Sequence, residues 1–382
     1  MKLIKKLPDP FLKEDGNHVV TLEDWNLRRQ EIKDMIVNIQ YGSMPNSPEK
    51  VTITNLESKT LDGGETQDEL YFDFVPKRDQ PEIKFGMNVT VLSPSVEAVK
   101  RRQNSVKDFG VNGIPALIYV GKSVFYDLLQ NGYMMICYEN NQLEPMEMGN
   151  PIVGPTQQAY EELEPGKYSW GSISVWAWGA LQLLEYALTL TAINKKQIMI
   201  SGHSRNGKTA LLAGALDDRI AIVNPAGSGC AGAGSYLALG DDCEDLAALT
   251  SRKRWWAWTH PDFEKWAGRE KDLPFDQHFL MGLVAPRPLL RTEGHNDLWA
   301  NPKGTYASFL ATQPIYDFLG TPKRNGIHIR EGGHYQGEED SAALLAFADW
   351  HFFNLPPKHN FQEELSENMK LPTFFHWTSP NE

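Results

Sequence analysis

From Ile114 onward, short and nearly continuous apolar runs punctuate the chain: Pro115–Val120, Tyr133–Tyr138, Gln197–Ile200, Ile220–Val223, Leu289–Thr292 and Gly326–Ile329. This is the pattern of strands covered on both faces. Between most of them apolar residues recur at helical spacing, over Ser123–Gln130, Ile173–Leu190, Thr209–Leu216 and Thr305–Leu319, and Asp340–Phe353 closes the series. Alternating strands and helices predict a parallel sheet with helices on both faces, whose working loops lie at the strand C-terminal ends. Upstream the pattern differs. Leu22–Ile39 reads as an amphipathic helix, and Thr52–Leu61, Leu70–Val75 and Met87–Leu92 alternate as antiparallel strands do. Two stretches lack periodicity, Glu139–Tyr168 and Gly227–Phe275, and long loops of this kind in a compact domain usually carry function.

One of the strand ends carries chemistry. Ile198–Ile200 runs into Ser201-Gly-His-Ser-Arg-Asn-Gly-Lys208, a Gly-x-Ser-x-x-Gly turn followed by a helix. A serine hydroxyl becomes a competent nucleophile when a tight turn exposes it, a base takes its proton and nearby donors receive the oxyanion. The bland alternative is a serine that merely caps the helix. Two later strand ends favour the catalytic reading. Asp297 follows the Leu289–Thr292 strand and the Gly294 turn, and His334 follows the Gly326–Ile329 strand through Gly332 and Gly333. Glu293 and His295 compete for the place of Asp297. The order Ser204, Asp297, His334 over successive strand ends is that of the α/β-hydrolases. The expected fold is therefore an α/β-hydrolase three-layer sandwich, with a mostly parallel central sheet and antiparallel N-terminal strands. Residues 1–382 are expected to form one domain, with 1–50 an arm and helix packed on it. Arg205, directly after the serine, is placed to stabilise the oxyanion through its amide and guanidinium, with Gly121 and Lys122 as the candidate second donors.

Composition narrows the partners. The 382 residues carry a formal charge of −12, and no basic stripe suited to nucleic acid is found. Cys137, Cys230 and Cys243 fall in no metal-ligand spacing, and their odd, low count points to buried free thiols rather than a disulfide scaffold. No apolar run is long enough for a membrane span, and Met1–Pro8 lacks the apolar core of a signal peptide. The chain as written is expected to be soluble and cytoplasmic, or secreted if Met1 replaces a removed leader.

Gly202-His-Ser-Arg-Asn-Gly-Lys208 resembles the signature of the glucuronoyl esterases, carbohydrate esterase family 15. Further stretches agree: Gly229-Cys-Ala-Gly-Ala-Gly234, Leu273-Pro-Phe-Asp-Gln-His278, Ala285-Pro-Arg-Pro288, Asp297-Leu-Trp-Ala-Asn-Pro-Lys-Gly304 and Gly333-His334, with Asp9-Pro-Phe11, Trp25 and Tyr41–Pro45 near the start. The resemblance implies hydrolysis of 4-O-methyl-glucuronic acid esters, as in lignin–xylan linkages, with glucuronoxylan-derived oligosaccharide esters as substrates and no metal or cofactor. It assigns Ser204, Arg205 and His334 as nucleophile, oxyanion stabiliser and base, and matches Lys208, Trp299 and Glu244 to sugar-binding positions. Two departures stand out. Some members carry the triad acid as a glutamate where this chain has Gly227, which leaves Asp297 to serve. Leu237-Ala-Leu239 replaces a stretch that commonly holds an arginine, which bears on substrate preference. An acetyl or feruloyl xylan esterase would use the same triad, and a non-catalytic carbohydrate-binding relative would not need it.

Overall fold

A computed structural model describes residues 1–144, 148–149, 154–362 and 373–380. Part of the 139–168 loop therefore lies outside the described residues. The strands are β1 (Lys2–Leu3), β2 (Lys50–Thr60), β3 (Thr66–Val75), β4 (Phe85–Ser93), β5 (Ile114–Val120), β6 (Met134–Tyr138), β7 (Ile193–His203), β8 (Ile222–Ala226), β9 (Ala238–Leu239), β10 (Leu289–Gly294) and β11 (Asn325–Arg330). The helices are α1 (Leu22–Met35), α2 (Val96–Ser105), α3 (Tyr126–Gln130), α4 (Pro155–Leu163), α5 (Ser172–Thr189), α6 (Arg205–Leu216), α7 (Leu246–Leu249), α8 (Gln277–Gly282), α9 (Pro302–Phe318) and α10 (Glu338–Phe353).

Nine strands form one sheet in the order β11-β10-β8-β7-β5-β6-β4-β3-β2. The six from β11 to β6 are parallel, and β4, β3 and β2 continue the sheet antiparallel. Every residue of β6 is buried, as is nearly all of β5, because helices cover both faces. On one face lie α5, α6, α8 and α9, packed through residues such as Trp176, Leu183, Leu211 and Tyr316. On the other lie α3 and α10, packed through Leu128, Leu129, Leu344 and Phe347. This is the three-layer α/β-hydrolase arrangement expected from the alternation.

The N-terminal arm is tied to this body by Phe11 and Trp25, whose rings pack against each other and, for Phe11, against Phe318 of α9. Thr21 caps α1 in a capping box with Asp24. The predicted helix over 22–39 divides in two, since beyond Met35 it widens into a π-helical turn over Ile36–Tyr41. At the other end of the arm, β1 pairs with β9, so the first residues brace the loop that follows β8. Among the described residues no helix is long and apolar enough to cross a membrane.

Candidate active site

Ser204 sits between β7 and α6 with φ 60° and ψ −124°. For a residue with a side chain this conformation costs on the order of 1–3 kcal/mol, and it lifts the hydroxyl out of the turn. The turn closes because both neighbouring glycines lack a side chain: a Cβ on Gly202 would lie 2.4 Å from the Asn206 carbonyl oxygen, and one on Gly207 2.8 Å from that of Ala226. The helix begins at Arg205, four residues earlier than its apolar periodicity suggests. Ser204 is thus a backbone corner, and its side chain makes no capping bond.

His334 Nε2 lies 2.9 Å from Ser204 Oγ, and His334 Nδ1 lies 2.6 Å from Asp297 Oδ2. The loops bearing Asp297 and His334 are joined through their backbones. The His295 amide donates to the Arg330 carbonyl at 2.8 Å and the Asn296 amide to that of Gly332 at 2.9 Å, which prolongs the β10–β11 pairing past the strand ends. Gly294 permits this, since a Cβ there would stand 2.5 Å from the Gly333 carbonyl oxygen. The His334 loop is also held from below. Arg330 pairs with Asp340 at 2.6 Å and stacks over Tyr335, while Gln336 donates to Ser201 Oγ at 3.1 Å. Ser201 in turn donates to Asn224 Oδ1 at 2.6 Å, so buried polar groups of β7 and β8 carry the loop.

Of the competing acids, Glu293 is fully buried and turned toward Thr305, and burial together with the Asp297 charge holds its carboxyl well above the usual range. It makes no hydrogen bond to His334. The Asp297 carboxylate both holds the imidazole and accepts from the Ala300 amide at 3.4 Å, so one side chain also caps the turn that follows it.

The oxyanion side is partly as expected. The Arg205 amide belongs to the first turn of α6, where no intrahelical carbonyl is available to it. Its guanidinium is paired with no carboxylate within 4.0 Å among the described residues; burial lowers its pKa, and the Glu139 charge opposes this. Gly121 differs from expectation. Its amide donates to the Tyr138 carbonyl at 2.9 Å, so the β5–β6 pairing already uses it. The Lys122 ammonium is exposed and bound to Glu139 at 2.6 Å.

Lys208, Glu244 and Trp299 come together. Lys208 is buried, donates to the Ser228 carbonyl at 2.6 Å and stands 3.9 Å from Glu244. The Glu244 amide donates to the Trp299 carbonyl at 3.0 Å. Sequence reasoning missed a fourth member, Arg254, which lies 3.7 Å from Glu244 with its guanidinium 4.6 Å over the Trp299 ring. Trp258 adds an aromatic face 5.8 Å from the Lys208 ammonium. Burial raises the Glu244 pKa, and the charges of Lys208 and Arg254 pull it back. Asn301 stitches the loops that carry Glu244 and Trp299, accepting from the Gly240 amide at 2.9 Å and donating to the Ala238 carbonyl at 3.1 Å. Asp276, of the Leu273–His278 stretch, supports the same region by accepting from Ser235 Oγ and the Tyr236 amide. A hydroxyl, an imidazole and a carboxylate in series can move a proton, and beside them stand two cations, an acceptor and an indole 41% exposed.

Residues 89–320, more than half of the chain, match the family described as glucuronyl esterase, fungi. The chain belongs to the glucuronoyl esterase family. It is 28% identical over 391 residues to the carbohydrate esterase MZ0003 of an unknown prokaryotic organism, covering 90% of this chain and 89% of that one. It is also 28% identical to a 4-O-methyl-glucuronoyl methylesterase of Phanerochaete carnosa, covering 90% of this chain and 80% of that one. Among solved structures, a family 15 glucuronoyl esterase from Caldicellulosiruptor kristjansonii superposes with a TM-score of 0.78 at 27% identity, covering 97% of each chain. Within this family frame the glycine at 227 takes on meaning: a Cβ there would stand 3.5 Å from Asp297 Oδ2. The place that a glutamate takes in some members thus lies next to the carboxylate that this chain supplies from the following strand.

Proposed function

We propose that this chain is a serine esterase that hydrolyses esters of 4-O-methyl-glucuronic acid and acts on glucuronoxylan-derived oligosaccharide esters, with residues 1–382 working as a single domain. The observation that carries this reading is the gathering of Lys208 of α6, one turn beyond Ser204, and Trp299, two residues past Asp297, with Glu244 and Arg254 of the loop after β9. A small acyl group would have no use for these donors, acceptor and ring, whereas a uronate ring offers hydroxyls and an apolar face to each.

In this mechanism His334 Nε2 takes the Ser204 proton as Oγ attacks the ester carbonyl. Asp297, accepting from Nδ1, keeps the imidazole in the required tautomer and stabilises the imidazolium. The oxyanion forms at the start of α6, where the Arg205 amide donates and its guanidinium adds a fixed positive charge. Collapse expels the alcohol, protonated by His334, and leaves the glucuronoyl group on Ser204. Water, activated by the same imidazole, then releases the acid. Comparing benzyl glucuronate, acetylated xylan and a short aryl acetate tests the reading. Preference for the glucuronate ester is expected; faster turnover of acetylated xylan would reassign the chain to acetyl esterases.

A further inference from the structure

Gly227 lies against the triad. A Cβ on it would stand 3.1 Å from His203 Nε2 and 3.5 Å from Asp297 Oδ2, so a side chain here would crowd both atoms and glycine leaves them unobstructed. His203 Nε2 is buried and makes no hydrogen bond. The His203 ring lies 4.5 Å from that of His334, and one ligand atom from each of His203, Asp297 and His334 falls within 4.8 Å of the others. Two imidazoles and a carboxylate thus bring metal-ligating atoms into one cluster.

We infer that this cluster binds a transition-metal cation of the zinc class, and that the bound ion switches the esterase off. The inhibitory part rests on the function proposed above; the binding part does not. Two nitrogens and one oxygen suit zinc, cobalt or copper, whereas magnesium and calcium prefer oxygen alone. A tetrahedral zinc with bonds of about 2.0–2.1 Å places its ligand atoms about 3.3 Å apart. Reaching that spacing requires His203 to turn toward the other two ligands and the Nδ1–Oδ2 separation to widen from 2.6 Å, and no side chain at 227 obstructs the turn.

The chemistry of inhibition follows from the proton balance. At rest, neutral His334 carries its proton on Nδ1, donates it to Asp297 and presents the Nε2 lone pair to Ser204. A cation binding at Nδ1 displaces the Nδ1 proton, which moves through solvent to the Nε2 lone pair, and the ion is held by the lone pair so freed on Nδ1. His334 stays neutral, but Nε2 becomes a donor and can no longer accept the Ser204 proton. Asp297 Oδ2 turns from hydrogen-bond acceptor to metal ligand. No redox step or covalent bond to carbon is involved.

Cobalt(II) is the probe for binding, since its visible ligand-field bands report coordination without turnover. Titrated into the Ser204→Ala chain, it should give a saturable band with one equivalent bound. In the same background His203→Phe, which keeps a ring against His334, should weaken that binding at least tenfold, and His203→Gln should do the same. In the active chain, zinc should inhibit aryl acetate hydrolysis and a chelator should restore it. Each His203 variant, measured against its own uninhibited rate, should need at least tenfold more zinc, and magnesium should have no effect. A missing cobalt band, or full cobalt and zinc sensitivity in both His203 variants, would overturn the site. His203-dependent cobalt binding in a chain that hydrolyses no glucuronate ester would support the site and refute the functional reading instead.

Discussion

Replacing Lys208 by alanine separates recognition from chemistry in this pocket. The ammonium is almost wholly buried, makes one short hydrogen bond to the Ser228 carbonyl and lies 3.9 Å from Glu244. That distance is long for a direct ion pair, and Arg254 offers Glu244 a second cation at 3.7 Å, so the variant should fold. A hydrogen bond from a charged group contributes about 1.5–3 kcal/mol, which at 1.4 kcal/mol per decade lowers kcat/KM on benzyl glucuronate by about 10- to 150-fold. Losing Lys208 also removes a charge that lowers the Glu244 pKa, so that carboxyl should hold its proton to higher pH and the defect should be deepest on the acid side. A short aryl acetate makes no sugar contact, and its hydrolysis should change less than about threefold, because a contact that only the sugar makes cannot alter its transition state. Steady-state kinetics on both substrates from pH 5 to 9, with circular dichroism as the folding control, provides the measurement. Equal losses on the two esters would refute the sugar-reading role of Lys208 and leave it as support for the turn.

Trp299→Ala should lower kcat/KM on the glucuronate ester by about 1–3 kcal/mol in free-energy terms while sparing the aryl acetate, and a loss on both would make the indole a prop for Asp297. Arg205→Lys should depress kcat by about 10²–10³ with KM little changed, because an ammonium cannot reproduce the fork beside the oxyanion; a change confined to KM would make Arg205 a ground-state contact. Asp297→Asn should cost on the order of 10⁴ in kcat through the wrong imidazole tautomer, and a near-normal rate would pass the role to Glu293. The Glu293 carboxyl is raised by burial, so the native state keeps its proton after the unfolded chain has lost it. Stability from this group is therefore present below a pH of about 4.3 and falls by up to about 1.4 kcal/mol per pH unit above it. Glu293→Gln should remove that loss, which thermal melts at pH 5 and 8 would register as a gain over the parent that widens at pH 8; an unchanged difference would mean that Glu293 is ionised in the fold.

The parallel strands, the nucleophile corner and the acid and base loops were all legible because each rests on local signals: an apolar run, then glycine, then a reactive side chain. Ser204, Asp297 and His334 therefore stood out before any contact was known. What escaped depends on pairing between distant segments. Gly121 looked free as a donor until the β5–β6 register committed its amide to Tyr138. Arg254 sits in an aperiodic loop, where only the run Arg252-Lys-Arg-Trp-Trp256 hinted at a stacked cation. The β1–β9 pairing joins residues more than 230 positions apart and has no sequence pattern of its own. Helix α6 begins before its periodicity does because Arg205-Asn-Gly-Lys208 serves the site rather than the core, Lys208 excepted only in that it is buried for a polar purpose.

The backbone bridge from the Asp297 loop to the His334 loop has a mechanical consequence. Asp297 and His334 ride on the prolonged β10–β11 ladder, whereas Ser204 stands on the β7–α6 corner, tied to the His334 loop through the Gln336–Ser201 hydrogen bond. Loosening of that side-chain tie should open the Ser204–His334 gap while the backbone bridge keeps the His334–Asp297 bond closed. As this molecule warms toward inactivation, the base should stay correctly oriented while losing its reach, so that the attack step slackens before the proton relay itself breaks.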